Sequence, residues 1–353
     1  MLADLAVRDG QRVVAFDLFG DLDLRRRASR VVTGGGLSSL VDAAALEEAS
    51  GVVYGASFEN HPALVARLAE RHALLGNPPG TLRAVRDPAR LGAALDGLPY
   101  PRTTVTAPSS GRWLRKPLRG GGGIGVAEWR DGALPAGTFL QERIDGVACS
   151  AAAVGNGKDA VVLGLTEQLV GQRAFGVRGH RWCGNLVPPR VPAGELLDQA
   201  RTICSCVAAA FGMRGLFGVD VIWDGERAWT LEVNPRPTAS LEAIEAAHGE
   251  DVFDAHLRAC AGELPRSETE CRRAAGKAVL FATEDVVIGD SVRWLERGMR
   301  DVPHPGERIA AGRPICTVVT TAATPEDALA GLEEQAARLR AELEARVEVA
   351  AGG

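Results

Sequence analysis

The chain has 353 residues, of which 46% are hydrophobic and 24% charged, so it can form a sizeable folded core. The formal net charge is -5, and the short basic runs at 25–27 and 272–273 are typical of solvated surface, so nucleic acid is not an expected partner. No uncharged apolar run reaches the roughly 18 residues of a membrane span, and the first ten residues lack the apolar segment of a signal peptide. We therefore expect a cytoplasmic globular protein without a membrane partner.

The seven cysteines are odd in number and scattered along the sequence. This usage favours reduced thiols in a cytosol over a disulfide framework. Cys204 and Cys206 form a C-x-C pair, which is one arrangement that ligates soft metals. They lie inside an apolar helical run with no second ligand pair, so we interpret them as buried thiols.

The first hundred residues alternate short apolar runs with helical stretches, a pattern typical of a parallel sheet flanked by helices. Predicted strands cover 13–16, 51–55 and 74–77, and predicted helices cover 39–50 and 63–71. Ligands tend to bind in the loops after such strands. The polar residues at these ends are candidates for contact with a non-nucleotide substrate: Asp17, Ser57, Glu59 and Asn77. Asp17 and Asn77 are equally well explained as caps of turns or helices.

Prolines and a glycine mark a linker near 99–111, and a different pattern follows it. Strands are predicted at 113–116 and 139–144, a hairpin at 148–154 with 160–165, and a helix at 195–211. Further strands at 277–283 and 314–320 precede a helix at 325–347. The apolar residues of that last helix recur at near-heptad spacing, which is typical of a packing stripe.

Lys116 precedes a loop that contains five glycines between residues 120 and 125. Successive glycines let the backbone approach phosphate oxygens closely, and a nearby lysine adds positive charge. The order differs from a Walker A loop, in which the lysine lies inside the loop before a helix. We expect a flexible hairpin that closes over a nucleotide's phosphates, although a glycine run alone more often forms a mobile linker.

The segment 139–146 predicts a strand that leads into extended backbone. Such backbone can offer N–H and C=O groups to an adenine edge, with Leu140 and Ile144 lining an apolar slot.

Two apolar runs that meet at Asp224-Gly225 predict an antiparallel hairpin. Strand alternation places Glu232 and Asn234 on one face, and Asp220 lies on the partner strand. Three oxygen ligands would then converge, as Mg²⁺ requires when it also binds substrate phosphates. The alternative is a structural hairpin with a surface ion pair, which contributes little stability and does not account for the intervening Asn-Pro.

In this order, the lysine and glycine lid, the segment 142–146 and the E-x-N motif at 232–234 resemble the ATP-grasp superfamily. The resemblance covers most of the chain and implies an α/β (α+β) fold in three parts. These are a Rossmann-like domain over 1–105, a lid subdomain over 106–150, and a larger domain over 151–353 that holds the metal site and a helical tail.

The resemblance implies that ATP phosphorylates a substrate carboxylate and that an amine then attacks the acyl phosphate. Asp220, Glu232 and Asn234 would carry two Mg²⁺ ions, for which Mn²⁺ can substitute, and Lys116 and Arg236 would stabilise the reacting groups. The residues implied in ATP binding are Arg86, Lys116, Gly121, Gly122, Gly123, Gln141, Glu142, Arg143, Ile144 and Asp145.

The chain departs from the family pattern at two places. Arg86 stands where many members have a lysine for the α-phosphate, and it supplies a planar fork in place of a compact ammonium. Val147-Ala148 stands where many members have a glutamate for the ribose hydroxyls.

The stretch 166–188 resembles one that lines the acceptor site in this superfamily. It contains Gln168, Arg178, His180 and Asn185. His180 is a candidate for binding a substrate carboxylate or accepting the amine's proton, although a lone loop histidine more often does neither.

Short stretches, including F-D-L-F-G-D at 16–21 and E-V-N-P-R-P at 232–237, resemble a branch of small carboxylate-amine ligases. That branch includes the tyramine-glutamate ligases of methanofuran-type coenzyme synthesis. The resemblance implies glutamate or a similar amino acid as the carboxylate, and tyramine or a glutamyl chain as the acceptor. A homodimer is compatible with this class.

Two other readings stay open. The tail around 305–318 is similar to biotin-dependent carboxylase components, but the chain has no biotin-accepting Met-Lys-Met, so it would need a separate carrier. A non-catalytic ATP-sensing module is the second alternative, and the complete metal motif argues against it.

Overall fold

The computed structural model describes residues 1–249, 251–265 and 271–351. The chain begins with a small parallel unit in which one short strand pairs with the next, Val14 opposite Arg30. Its elements are α1 (Leu2–Arg8), β1 (Val14–Asp17), α2 (Leu22–Arg27), β2 (Arg30–Thr33), α3 (Leu37–Ala44), a 3-10 turn (Phe58–Asn60), α4 (Pro62–Ala69), α5 (Pro79–Val85) and α6 (Pro88–Ala94).

This unit differs from the sequence prediction in detail. Strand β2 was not predicted, because its two valines lie between an arginine run and three glycines. The predicted strands at 51–55 and 74–77 are reduced to one parallel bridge between Val52 and Leu74. Flanking glycines weaken strands, and Gly51, Gly55 and Gly76 bound these two segments. The helix predicted over 39–50 ends at Ala44.

A four-stranded antiparallel sheet follows, with strand order β3-β6-β4-β5. Its strands are β3 (Thr103–Thr104), β4 (Trp113–Pro117), β5 (Ala127–Trp129) and β6 (Thr138–Glu142). The glycine loop connects β4 to β5, as expected for a lid hairpin. Lys116 lies opposite Phe139, so Gln141, two residues further along β6, points to the same face as Lys116.

The largest sheet has seven antiparallel strands in the order β11-β10-β7-β8-β9-β12-β15. The strands are β7 (Val147–Asn156), β8 (Ala160–Val170), β9 (Trp182–Val187), β10 (Arg214–Trp223), β11 (Ala228–Asn234), β12 (Ala274–Phe281) and β15 (Pro314–Ala322). A small pair, β13 (Val286–Val287) and β14 (Arg308–Ile309), lies outside it. The helices of this part are α7 (Ala193–Phe211), α8 (Leu241–His248), α9 (Val252–Cys260), α10 (Val292–Glu296) and α11 (Pro325–Ala351).

The pleat of the large sheet separates its core residues from its polar ones. Val219, Val221 and Val233 belong to the buried cluster that includes helix α7. Alternate strand residues point to opposite faces, so Glu232 and Asn234 project away from that helix. The opposite face carries a second core, to which α1, α8 and α9 contribute. The polar site thus lies at the edge of a well-packed layer.

Helix α11 covers the far end of the sheet through a buried stripe of Leu332, Ala336 and Leu339. All seven cysteines lie within the described residues and are unpaired, and Cys204 is buried inside α7. Among the described helices, none combines the length and the apolar character needed to cross a bilayer.

Candidate active site

The hairpin of β10 and β11 brings the three predicted metal ligands together. Asp220 lies directly opposite Glu232, and the register then shifts, with Leu231 of β11 as the extra residue. Asn234 donates a hydrogen bond from Nδ2 to Oδ2 of Asp220 at 3.0 Å. The antiparallel pairing predicted from the Asp-Gly turn is therefore confirmed, and the two carboxylates and the amide form one cluster.

Electrostatics within this cluster are asymmetric. Burial and the adjacent charge of Glu232 raise the pKa of Asp220. Burial also opposes ionisation of Glu232, but the positive charges of Lys116, Arg86 and Arg236 outweigh it and lower the pKa of Glu232. One carboxylate is thus stabilised in its charged form by three cations, while its neighbour holds a proton more readily.

Lys116 reaches this cluster from the lid sheet. Its Nζ donates to Oε1 of Gln141 at 3.0 Å, and Nε2 of Gln141 donates to the carbonyl of Leu231 at 3.1 Å. Burial lowers the pKa of Lys116, while Glu232 and Asp220 oppose that effect. Gln141 therefore links the lysine to the strand that carries Glu232.

Arg86 enters from the end of α5. Nη1 lies 3.4 Å from Oε2 of Glu232, and Nη2 donates to the carbonyl of Gly120 at 3.0 Å. The sequence prediction that Arg86 supplies charge at this place agrees with its position. Its contact with the α-phosphate stays a prediction.

Arg236 lies two residues beyond Asn234. Its Nη2 donates to Oε1 of Glu59 at 2.8 Å and contacts Oδ1 of Asn234 at 3.4 Å. Oε2 of Glu59 and Nε of Arg236 are buried and have no hydrogen-bond partner among the described residues. Glu59 thus joins the site through Arg236.

Asn77 is a structural connector in this geometry. It is fully buried, and its Nδ2 donates to the carbonyl of Pro235 at 3.1 Å. Its Oδ1 accepts the backbone N–H of Arg214 at 2.8 Å. The hydroxyl of Tyr54 donates to the carbonyl of Asn77 at 2.7 Å. The amide of Asn77 thereby holds two segments beside the site.

The glycine lid is closed against two parts of the chain. Gly120 exchanges hydrogen bonds with the side chain of Asn60, at 3.2 and 3.4 Å. The carbonyl of Gly122 accepts the backbone N–H of Trp182 at 3.1 Å. At Gly123, where φ is +73°, an added Cβ would lie 1.8 Å from the carbonyl oxygen of His180. Only glycine fits this contact, so the lid geometry requires it.

A cleft opens beside Arg86, Lys116 and Glu232. The rest of its lining is largely apolar: Val85, Pro88, Leu91, Tyr100, Pro117, Leu118, Phe139, Leu231 and Val233. An apolar slot with a few charged groups at one end suits a planar ring that carries phosphates.

The charged side chains of the predicted adenine segment form ion pairs with neighbouring residues. Glu142 forms a two-pronged ion pair with Arg102, at 2.9 and 2.7 Å. Arg143 pairs with Glu128 and Asp145, and Asp145 with Arg112. The backbone N–H groups of Glu142 and Arg143 donate to carbonyls of the same sheet. Gln141 contacts Lys116 in the site, Phe139 lines the cleft, and Ile144 is partly buried.

The residues predicted to contact the non-nucleotide substrates lie in different places. Gln168 donates to Oδ1 of Asp220 at 2.8 Å, so it belongs to the carboxylate cluster. Arg178 is exposed, and His180 meets the lid through its backbone carbonyl. Asp17 accepts the backbone N–H groups of Phe19 and Gly20 at 2.8 and 2.7 Å, so it caps a turn, as the alternative reading of Asp17 held.

Asn60, Tyr54 and Trp182 also contact the site and were missed in the sequence. Asn60 follows the candidate Glu59 directly, and this adjacency was the available signal. Trp182 acts through its backbone, which leaves no mark on residue type.

The donor set fits Mg²⁺ by its chemistry. Hard cations take carboxylate and amide oxygens, and Mg²⁺ commonly uses one or two carboxylates and completes its coordination with water and phosphate. Within the described residues, no group of three His, Cys, Asp or Glu side chains is arranged to hold a metal. The site instead offers Asp220, Glu232 and the amide of Asn234.

The chain matches the family model described as "ATP-grasp domain" over residues 90–240. It is 31% identical over 123 residues to a formate-dependent phosphoribosylglycinamide formyltransferase of Mycolicibacterium vanbaalenii, covering 34% of this chain and 29% of the relative. The chain spans about a third or less of the length of the curated relatives it matches.

Two solved structures are similar over nearly the whole chain. The biotin carboxylase domain of the Hydrogenobacter thermophilus 2-oxoglutarate carboxylase has a TM-score of 0.73 at 15% identity, covering 93% of this chain and 84% of that one. The N5-carboxyaminoimidazole ribonucleotide synthetase of Thermotoga maritima has a TM-score of 0.68 at 17% identity, covering 95% of each chain. The mixed α/β architecture, the match over residues 90–240 and the likeness to these solved structures together show that the chain has the ATP-grasp fold.

Proposed function

We propose that the protein is an ATP-dependent carboxylate-amine ligase that forms an amide through an acyl phosphate and releases ADP and phosphate. One observation carries the proposal: Arg86, Lys116 and Arg236 converge on Glu232 at the mouth of an apolar cleft. Arg236 is balanced by Glu59, and the raised pKa of Asp220 favours its neutral form, so Lys116 and Arg86 supply more positive charge than Glu232 alone balances. Such a site suits the polyphosphate of a nucleotide.

Each charged group has a proposed role. Asp220, Glu232 and Asn234 hold Mg²⁺, which neutralises charge on the transferring phosphoryl group when it is bound. Lys116 and Arg86 bind phosphate oxygens, with the backbone of Gly121, Gly122 and Gly123 above them. Arg236 stabilises the acyl phosphate and the oxyanion of amine attack. Two ions are expected, and Mn²⁺ is a substitute to test.

The relatives support a small carboxylate as the first substrate. The formyltransferase is named as formate-dependent, and the Hydrogenobacter structure contains Mg-ADP and bicarbonate. For this chain we propose glutamate or a similar amino acid, with tyramine or a glutamyl chain as the amine. This choice rests on the short stretches that resemble tyramine-glutamate ligases of one-carbon coenzyme biosynthesis.

We further propose that the chain is organised as 1–105, 106–150 and 151–353, and that it works in the cytoplasm, as a homodimer in the simplest case. The small sheet spans residues 103–142 and the large sheet begins at Val147, so the proposed boundaries fall just after β3 and inside β7, close to the changes of sheet. The unpaired thiols agree with a reducing compartment.

The test is a matrix of carboxylates and amines incubated with purified protein, Mg²⁺ and ATP, with ADP, AMP and product measured. We expect ADP release that requires both a carboxylate and an amine, with glutamate and tyramine the first pair to be tried. Absence of ADP and AMP above background for every pair would contradict the proposal. Glu232→Ala serves as the inactive control.

A carboxylase component is the second candidate, and it is favoured by the likeness to biotin carboxylase domains over more than nine-tenths of this chain. ATP turnover that depends on bicarbonate and on an added biotin carrier, without need for an amine, would identify it. Tight ATP binding without turnover under any condition would instead identify an ATP sensor.

A further inference from the structure

A 3-10 turn of the N-terminal unit, Phe58–Asn60, touches two separate parts of the site with neighbouring side chains. The preceding residue, Ser57, has φ of 79°, in the left-handed region that residues with a Cβ seldom adopt. Strained backbone of this kind persists where the surrounding structure fixes it, and it clusters at functional sites. The conformation of this turn therefore depends on the contacts that its polar residues make with their surroundings.

Glu59 is aimed at Arg236. The glutamate is 3% exposed, and Oε1 accepts from Nη2 of Arg236 at 2.8 Å. The other carboxylate oxygen has no partner among the described residues, and neither does Nε of the arginine. Burying a carboxylate with so few hydrogen bonds is unfavourable for folding. Its hydrogen bond to Arg236 indicates that Glu59 orients this arginine.

Asn60 is aimed at the lid. Its Oδ1 accepts the N–H of Gly120 at 3.2 Å, and its Nδ2 donates to the carbonyl of the same residue at 3.4 Å. Arg86 donates to that carbonyl as well, and its other terminal nitrogen reaches Glu232. The first glycine of the lid is therefore docked onto the N-terminal unit, next to the carboxylate cluster.

We propose that Glu59 and Asn60 are positioning residues that couple lid closure to the orientation of Arg236 through one turn. When Gly120 docks on Asn60, the turn is fixed, and Glu59 then holds the guanidinium beside Asn234. When the lid leaves, the turn loses two hydrogen bonds and the arginine loses its orientation. The importance of Arg236 rests on the proposed ligase function, whereas the docking of the lid does not.

The lid arm of the test needs no turnover. Hydrogen exchange of amides 119–125, with and without Mg-ADP, is compared for the wild type and for Asn60→Ala. We expect roughly tenfold faster lid exchange and faster tryptic cleavage after Arg119 in the variant, because two hydrogen bonds are lost. Glu47→Gln, which removes an ion pair with Arg30 in the same unit, is the matched control and should leave the lid unchanged.

Asn60→Asp keeps the acceptor for the Gly120 N–H and loses the donor, so an intermediate exchange rate is expected. If both variants unfold at the wild-type denaturant midpoint and protect the lid as the wild type does, lid docking on Asn60 is overturned.

The coupling arm follows the ¹⁵Nε–Hε resonance of Arg236, assigned by its loss in Arg236→Lys. Glu59→Gln should shift the Arg236 resonance and also accelerate amide exchange in the lid. Asn60→Ala should shift the same resonance although Asn60 makes no hydrogen bond to Arg236. An Arg236 resonance that ignores Asn60→Ala would overturn the coupling.

If the protein has ligase activity, kcat of Glu59→Gln, Arg236→Lys and the double variant completes the test. If kcat of the double variant is no lower than kcat of Arg236→Lys alone, Glu59 acts through Arg236. If the free-energy losses of the two single variants add in the double variant, that role is overturned. If no ligase activity is found, the hydrogen-exchange and NMR experiments still test the coupling. Failure of the proposed function can therefore be distinguished from failure of the coupling.

Discussion

Gln168 donates a hydrogen bond of 2.8 Å to Oδ1 of Asp220. The second carboxylate oxygen accepts from Asn234, so amides hold both oxygens of Asp220. A carboxylate held on both sides has a fixed plane, and metal affinity commonly depends on such outer partners. Gln168 thereby fixes the orientation of Asp220, which is one of the proposed metal ligands.

We predict that Gln168→Ala raises the Mg²⁺ concentration for half-maximal activity by roughly tenfold or more, with a smaller change in the KM for ATP. In this variant Oδ1 of Asp220 has lost its amide donor, so the carboxylate can rotate. Metal titration of ADP release checks this. Gln199→Ala, at a surface contact of α7 with the β10–β11 turn, is the control, and equal Mg²⁺ dependence in both variants would contradict the prediction.

Glu232→Ala is expected to lower turnover at least about 10²-fold, because the variant removes a proposed metal ligand and the carboxylate that balances Lys116 and Arg86. ADP release at saturating ATP and Mg²⁺ is the measurement. Glu226→Gln changes an exposed carboxylate in the turn of the same hairpin and should retain activity. A near wild-type rate in Glu232→Ala would remove this residue from the mechanism.

Lys116→Ala should mainly raise the KM for ATP, since the lysine is proposed to bind phosphate oxygens throughout the reaction. Loss of its bond to Gln141 also frees that amide from the strand of Glu232. Steady-state kinetics with varied ATP give the KM and kcat separately. Lys158→Ala, in the turn between β7 and β8, is the control, and unchanged kinetics in Lys116→Ala would refute the phosphate role.

The lid offers a matched pair of glycine substitutions. Gly123→Ala places a Cβ 1.8 Å from the His180 carbonyl, so the lid cannot seat as it does here. Gly121→Ala meets no atom within 4 Å and is the control. We expect kcat/KM for ATP to fall about 10²-fold in the first variant and little in the second. Equal losses, with unchanged thermal unfolding, would show that glycine flexibility alone matters.

Folding stability should depend on the protonation of His256. The residue is fully buried, its Nδ1 accepts the N–H of Leu216 at 2.9 Å, and burial lowers its pKa to about 4 from 6.5. An unfolded histidine binds a proton below about pH 6.5, whereas the folded one stays neutral until about pH 4. The stabilisation present above pH 6.5 is therefore lost as pH falls through this window, by up to about 3 kcal/mol.

Urea unfolding at several pH values between about 7 and 4 measures this loss. His256→Gln should flatten the pH dependence in that window, provided the variant folds. An NMR titration of His256 is the independent check, and protonation near pH 6.5 in the folded protein would contradict the prediction.

The hairpin of β10 and β11 was predictable because the sequence features that determine it are close together in the chain. An Asp-Gly turn and period-two alternation fix which residues of β11 share a face, and the bulge after Asp220 leaves that cluster intact. The same holds for Lys116 and the glycine loop, which are adjacent in sequence. Short-range chemistry of this kind can be read without knowing the fold.

The contacts that complete the site depend on pairings far apart in the chain. Glu59 and Arg236 are 177 residues apart, and no local pattern connects them. Gln141 was predicted as an adenine contact, but the register of β4 and β6 turns its side chain toward Lys116. Outward ion pairs of Glu142 and Asp145 likewise follow from that register. The residue types identified candidate site residues, but the strand order and register of the sheets determine which of them lie together in the site.

The position of β12 has a consequence for how the chain can be divided. The family-matched stretch ends at residue 240, yet β9 pairs on its outer side with β12, and α11 covers the strands beyond. A fragment that stopped at the end of the match would leave β9 as a bare sheet edge and would expose Leu186, which is buried in the intact protein. The segment 90–240 is thus recognisable in the sequence, but its sheet is completed by strands that lie outside it. Strand β12 extends the sheet beside β9, β15 pairs with β12, and buried leucines of α11 pack against them.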